Sequence, residues 1–228
     1  MADPRFYCPN PVFAEQELEL PASVAHHVRV RRLAQGDRVV LFDGRGGEVA
    51  GTLSFTGKTA SVLLGRHNPK EAELKGEITL IQALPSGDKM DWIVEKAVEL
   101  GVHRIIPVAA QRSVLKLSGP RLEKRLEHWR GIITSASEQC GRNRLMQLEA
   151  PQTIEHAIAA TATEQRWLCD PEAEHTLAEH LQTSRLQPIQ ALSLLIGPEG
   201  GWSPEEIAAA ARHSVIKIKF GLRVLRTE

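Results

Sequence analysis

Beyond residue 77 the hydrophobic positions alternate between two spacings. Residues 78–84, 104–108, 166–169, 192–196 and 215–220 are apolar runs of strand length. Between them the spacing widens to three and four, as on one face of a helix. Residues 88–100 put Met90, Ile93, Val94, Ala97 and Val98 on one side, and Gly101 stands where a helix ends. Helices are also predicted from Pro120 to about residue 139, and over 153–160, 174–182 and 203–212. Strands alternating with helices predict an α/β fold whose mainly parallel sheet is covered on both faces.

Residues 5 to about 68 follow a different pattern and read as β throughout. Runs such as 38–42 and 60–64 are separated by the turn clusters Asp43-Gly44-Arg45-Gly46-Gly47 and Thr56-Gly57-Lys58. The charged stretch from Glu71 to Glu77 reads as a linker, which puts a domain boundary near residue 72. The chain's 228 residues are enough for two domains, each with its own core.

No apolar run approaches the roughly 20 residues of a membrane helix, and the N-terminus has no signal-peptide core. Three cysteines (Cys8, Cys140 and Cys169) lie far apart without a CxxC pair, so a reducing cytoplasm is expected and a disulfide framework is not. Twenty-eight Lys and Arg balance 28 Asp and Glu, yet the charge is segregated. Residues 104–146 hold nine Lys/Arg and three Glu, whereas 149–182 hold seven acids and one Arg. A basic block of this kind is a modest pointer to a polyanion, set against the ordinary reading of a solvated helix face.

The sharpest chemistry lies at 192–206. An apolar strand runs into Gly197-Pro198-Glu199-Gly200-Gly201, then into a helix with Ser203 as N-cap, Pro204 in its first turn and Glu206 at the capping-box position. Ligands of open α/β sheets bind at the carboxyl ends of strands, where glycines let backbone amides approach. The loop has neither the GxGxxG spacing of a dinucleotide site nor the GK[ST] of a P-loop, and position alone does not name its ligand. Two further clusters stand out: Phe220-Gly221-Leu222-Arg223-Val224-Leu225-Arg226-Thr227-Glu228, and Glu138-Gln139-Cys140-Gly141-Arg142-Asn143-Arg144, which is rich in donors for phosphate or base edges. His26 and His27 have no third ligand at suitable spacing, so no metal site is expected.

At these residues the chain resembles the ribosomal RNA small subunit methyltransferase E family, within the SPOUT superfamily of knotted methyltransferases. The resemblance rests on Lys89-Met90-Asp91, Lys96, Glu99-Leu100-Gly101-Val102, Arg112-Ser113-Val114, Glu138-Gln139 with Arg142, the 196–201 loop, and Gly221 with Leu225-Arg226-Thr227-Glu228. In the first domain it rests on His26-His27-Val28-Arg29-Val30-Arg31, Gly36-Asp37 and Phe42-Asp43-Gly44. It covers essentially the whole chain. Family members run on into a further helix after the position of Glu228, where this sequence stops.

The resemblance implies a small PUA-like β-barrel over 1–72 that binds RNA, and a SPOUT α/β domain over 73–228 with a C-terminal deep trefoil knot. It further implies a cytoplasmic homodimer that uses S-adenosylmethionine, without metal, to methylate N3 of a uridine in 16S ribosomal RNA, either naked or in the 30S subunit. Cofactor contacts carry over to Leu168, to Ile196, Gly197, Gly200 and Gly201, and to Phe220, Gly221, Val224 and Leu225. Uridine N3 is a poor nucleophile until its proton leaves, so a base or a cation beside the imide is required. Glu199 and Glu138 are the candidate bases, with Glu199 alternatively a structural acid holding its loop. Arg226 is the first candidate cation, with Arg142 and Arg112 behind it. His27, Arg29, Arg31, Arg32, Arg112 and Arg144 are the candidate RNA contacts. Another RNA target, such as a tRNA ribose, and a non-catalytic RNA-binding assembly factor are the competing readings.

Overall fold

A computed structural model describes residues 3–57, 59–161, 165–184 and 189–228. Lys58 of the expected turn and Glu164 of the acidic block lie outside the described residues. The chain divides into two compact units, 1–73 with 134–145, and 74–133 with 146–228.

In the first unit, strands β1 (Arg5–Tyr7), β2 (Glu17–Glu19), β3 (Arg38–Phe42), β4 (Glu48–Thr56) and β5 (Thr59–Asn68) form a sheet in the order β1-β3-β4-β5-β2. Its pairings are antiparallel except for β1 with β3. Helix α1 (Ala22–Val30) corrects the all-β expectation. Val24, Ala25 and Val28 are its buried positions, so apolar residues four apart, with polar ones between, set a helical rather than a strand period. They pack with Phe6, Val39, Leu41, Leu53 and Val62 to form the core of this unit. At the turn after β3, Gly44, Gly46 and Gly47 all have positive φ, the conformation that lets the chain reverse there.

The second unit alternates as expected: β6 (Glu77–Ala83), α2 (Lys89–Glu99), β7 (Arg104–Val108), α3 (Gly119–Cys140), β8 (Gln147–Leu148), α4 (Ile154–Ala159), β9 (Gln165–Cys169), α5 (Leu177–Ser184), β10 (Ala191–Ile196), α6 (Pro204–Arg212) and β11 (Ile216–Ile218). The described strands form a parallel sheet in the order β11-β9-β10-β6-β7-β8. Ile81, Ile106, Leu168 and Leu195 of the strands pack with Ile154, Ala157 and Ile158 of α4 and Ala209 and Ala210 of α6. The last turns of α3, from residue 134, cluster with the first unit.

The largest departures from expectation are at α5 and β11, and strand β8 was not expected. Helix α5 begins at Leu177 rather than Glu174, because the Thr176 hydroxyl accepts from Glu179 N while Glu179 Oε2 accepts from Thr176 N, so Thr176 caps the helix. Strand β11 ends at Ile218, where Lys219 N turns to His175 O. The two-residue β8 is too short to leave a periodic signal. The α6 start matches its expectation: Ser203 and Glu206 make the reciprocal bonds of a capping box behind Pro204.

Helices α2 and α3 are joined by Asp91. Its Oδ1 accepts from Trp129 Nε1 at 2.9 Å, and its Oδ2 lies 2.8 Å from His128 Nε2. Trp129 is fully buried. Replacing Asp91 by Ala strands the buried indole N–H, a loss of about 1–3 kcal/mol. A lowered urea midpoint is the expected outcome, measured by circular dichroism.

Candidate active site

The order of the second sheet fixes where a ligand site belongs. Strands β6, β7 and β8 proceed outward in one direction, whereas β9, β10 and β11 build the other side, with β10 beside β6. The strand order reverses between β6 and β10, and the carboxyl ends of parallel strands at such a point open a crevice. The 197–201 loop leaves β10 at that place. Residues 219–228 return to it from the edge strand β11: the Thr227 hydroxyl donates to Gly197 O at 2.5 Å, and Gln82 Nε2 at the end of β6 donates to Thr227 Oγ1 at 3.2 Å.

Between these segments lies a cavity of about 930 Å³. Of the residues expected from sequence, Ile196, Gly197, Gly200, Gly201, Phe220, Val224 and Leu225 line it, as do Glu199, Arg226 and Arg112. Leu168 does not: its side chain is buried in the core, and the next residue, Cys169, faces the cavity because strand neighbours alternate. Gly221 is the turn between lining residues, at φ 136°. A Cβ on Gly200 would meet Arg112 Cβ at 3.3 Å, and one on Gly197 would meet the Trp202 ring at 3.2 Å, so both glycines allow close approach. Arg112 NH1 also donates to Gly200 O at 2.9 Å, which makes this arginine a support of the loop.

Glu199 is the most constrained group of the site. Its carboxylate accepts from Ser86 N at 3.1 Å, Ser86 Oγ at 2.6 Å and Lys89 Nζ at 3.0 Å. Burial pushes its carboxyl up, but these hydrogen bonds outweigh burial and hold it at about 2. Lys89 is raised above its ordinary value by the Glu199 hydrogen bond and also pairs with Glu228 at 3.4 Å. Across the cavity, Asp170 Oδ2 is 2.5 Å from Lys217 Nζ, and Oδ1 accepts from Glu172 N at 2.9 Å. Burial works against ionisation of Asp170, yet these partners keep it below the usual carboxylate range. Burial alone pushes the Cys169 thiol up to about 12, so it stays protonated and is no nucleophile at neutral pH.

The other expected residues belong to the first unit. Glu138 Oε1 accepts from Tyr7 N at 2.9 Å, and Oε2 lies 3.6 Å from His27 Nδ1. Burial pushes the Glu138 carboxyl up, opposed by the Tyr7 N–H and the charges of His27, Arg31 and Arg5. Arg142, expected as a substrate-facing cation, is buried against Glu73 with contacts of 3.0 and 2.7 Å. Arg144 pairs with Glu71 at 3.4 Å, while Arg29, Arg31 and Arg32 lie exposed at the end of α1 and just beyond it. Among the described residues no group of three His, Cys, Asp or Glu is placed to hold a metal ion.

Sequence reading missed the roles of Ser86, Lys89, Asp170, Lys217, Thr227 and Glu228. Lys89, Thr227 and Glu228 stood inside quoted motifs. The others meet only through strand order, which no local pattern carries.

A family model described as an RNA methyltransferase domain matches residues 72–228, and one described as an RNA methyltransferase PUA domain matches 20–63. The α/β fold with a PUA-like N-terminal domain and a methyltransferase domain is therefore the class. Named relatives narrow it. Ribosomal RNA small subunit methyltransferase E of Bacillus subtilis is 29% identical over 210 residues, covering 90% of this chain and 82% of the relative. The Synechocystis protein of the same name is 32% identical over 216 residues, covering 93% and 69%. Among solved structures, a Legionella pneumophila protein in complex with SAM superimposes with TM-score 0.91 at 30% identity, covering 100% and 93% of the two chains. The ribosomal RNA small subunit methyltransferase E from Neisseria gonorrhoeae, bound to S-adenosyl methionine, gives 0.89 at 31%, covering 99% and 92%. The chain belongs to the ribosomal RNA small subunit methyltransferase E family.

Because the Glu199 carboxyl is depressed, what its ionised bonds contribute is fully present above the ordinary value of 4.5 and is lost as pH falls toward about 2. Hydrogen exchange at the Ser86 amide should therefore remain protected from pH 8 to 5 and lose that protection in more acid solution. Glu199→Gln should lose part of the protection already at pH 7, read by mass spectrometry after correction for intrinsic rates.

Proposed function

We propose that this chain is an S-adenosylmethionine-dependent methyltransferase that methylates N3 of a uridine in 16S ribosomal RNA. The observation that carries the reading is the cavity between the glycine loop and the terminal segment, in a member of a family with solved relatives bound to that cofactor.

The residues present fit the cofactor. The cavity is within the size range of small-molecule sites. Phe220, Val224 and Leu225 line it while exposed, an apolar wall of the kind an adenine ring covers. Backbone amides of the glycine turn are suited to the edge of that ring, and Glu199 holds the turn through Ser86 and Lys89 rather than taking a proton. When bound, S-adenosylmethionine supplies a methyl group already activated on a sulfonium sulfur. The protein must orient the acceptor and favour the anionic form of its imide. Arg226 is the cation for that anion: its side chain is 86% exposed on the cavity wall, 3.9 Å from Glu228.

Residues 1–72 serve as the RNA-binding domain, a small barrel that offers Arg29, Arg31 and Arg32, and 73–228 as the catalytic domain. A deep trefoil knot is supported by the insertion of β10 between β9 and β6, and by the return of 219–228 to Gly197 and Gln82. A homodimer accounts for the exposed Trp92, Leu100 and Leu222 of the second unit. A ribosomal RNA enzyme works where ribosomes are assembled, which makes the cytoplasm its compartment.

Labelled S-adenosylmethionine, incubated with the protein and either unmodified 30S subunits or naked 16S RNA, should yield N3-methyluridine after digestion and mass spectrometry. A labelled nucleoside of any other kind overturns the assignment. Arg226→Ala should lower kcat about 100-fold, the scale of losing one charge-stabilising donor, with little change in cofactor Kd by calorimetry. Light scattering of the diluted protein should give twice the chain mass.

A further inference from the structure

Methylation at N3 needs an acceptor for the N3 proton, and four carboxylates line the cavity among the described residues: Asp170, Glu172, Glu199 and Glu228. A base needs an oxygen that is not already committed to strong donors. Asp170 has both oxygens engaged, by Lys217 Nζ and Glu172 N. Glu199 is committed to Ser86 and Lys89 and stays ionised down to about pH 2. Glu172 is exposed on the turn after β9, open to water.

Glu228 is different. Its side chain is 20% exposed, and its Oε2 is buried 3.4 Å from Lys89 Nζ, an ion pair without a well-formed hydrogen bond. Its Oε1 lies 3.9 Å from Arg226. Lys89 is shared: one ammonium stands between the carboxylates of Glu199 and Glu228. The Ser86 donors fix Glu199 as the ionised member of the pair. Glu228 keeps its oxygens clear of close donors, with Lys89 Nζ at 3.4 Å and Arg226 at 3.9 Å.

Resting on the functional reading above, we propose that Glu228 is the base that takes the N3 proton, with Lys89 positioning its carboxylate and Arg226 stabilising the imide. The N3–H bond breaks with its electron pair left on nitrogen, and the proton passes to the Glu228 carboxylate. That pair forms the N–CH3 bond while the S–CH3 pair stays on sulfur, giving N3-methyluridine and S-adenosylhomocysteine. Glu228 then releases its proton to water. Base and imide-stabilising cation thus come from one segment, two residues apart.

The test compares wild type, Glu228→Gln, Glu228→Asp and Glu172→Gln under single-turnover conditions with RNA, alongside calorimetric S-adenosylmethionine affinity. Glu228→Gln should lose at least about 100-fold in rate at pH 7, the scale of a general base, with cofactor affinity retained. The deficit should narrow as pH rises, because the imide then ionises without help. Wild type should show an acid limb that the Gln variant lacks, and Glu228→Asp should recover part of the rate. A Gln variant near the wild-type rate overturns the proposal. So does a parallel loss of cofactor affinity, or the same pH-dependent loss in Glu172→Gln instead. If the wild-type chain yields no N3-methyluridine, the functional reading itself fails and takes this assignment with it. A wild-type product alongside a fully active Gln variant removes the assignment alone.

Discussion

An ionised carboxylate at the mouth of the parallel sheet holds together segments that the chain keeps far apart. Glu199 sits in the loop after β10, and its bonds reach Ser86 after β6 and Lys89 at the start of α2. Through Lys89 it also reaches the terminal segment at Glu228. Remove its charge and the loop, the helix start and the returning tail lose their common partner at once. The apolar core holds the strands in register, but this polar tie decides how their carboxyl ends are spaced. The cavity is the space left by that spacing, with Gly197 and Gly200 bare enough to let Trp202 and Arg112 close in behind the loop.

The segregation of charge along the chain has an internal use. Much of the basic block is engaged by partners within its own unit: Arg104 by Glu149, Arg125 by Asp88 and Asp91, Arg142 by Glu73 and Arg144 by Glu71. Arg112 holds a loop carbonyl. The Arg104–Glu149 pairing joins the basic block to the acidic one. A basic stretch in sequence is thus a poor measure of a basic surface. The exposed arginines at the end of α1 come from outside that stretch altogether.

Much of the second unit was legible because its signals are local. The apolar runs of β6, β7 and β10, the stripe on α2 ending at Gly101, and the capping box of α6 each depend on a few neighbouring residues. Helix α1 was missed because His26 and His27 separate the buried positions Val24 and Val28, and the surrounding turns bias the reading toward strand. The cavity's glycines and apolar wall were legible as motifs. Its electrostatics were not, since Glu199 meets Ser86 and Lys89 across more than a hundred residues, and Asp170 meets Lys217 across forty-seven. Leu168 shows the limit in miniature: strand alternation, which no motif carries, turns its side chain into the core and puts Cys169 at the cavity.

Cys169 has a consequence for the durability of such a site. A cavity that holds an alkylating cofactor endangers any soft nucleophile in its own wall, and a thiolate is the softest a protein offers. With the thiol pushed to about 12, on the order of one molecule in 10⁵ carries a thiolate there at pH 7. Burial in an apolar strand end therefore acts as chemical insulation. A wall thiol held in this form is a poor target for an alkylating ligand.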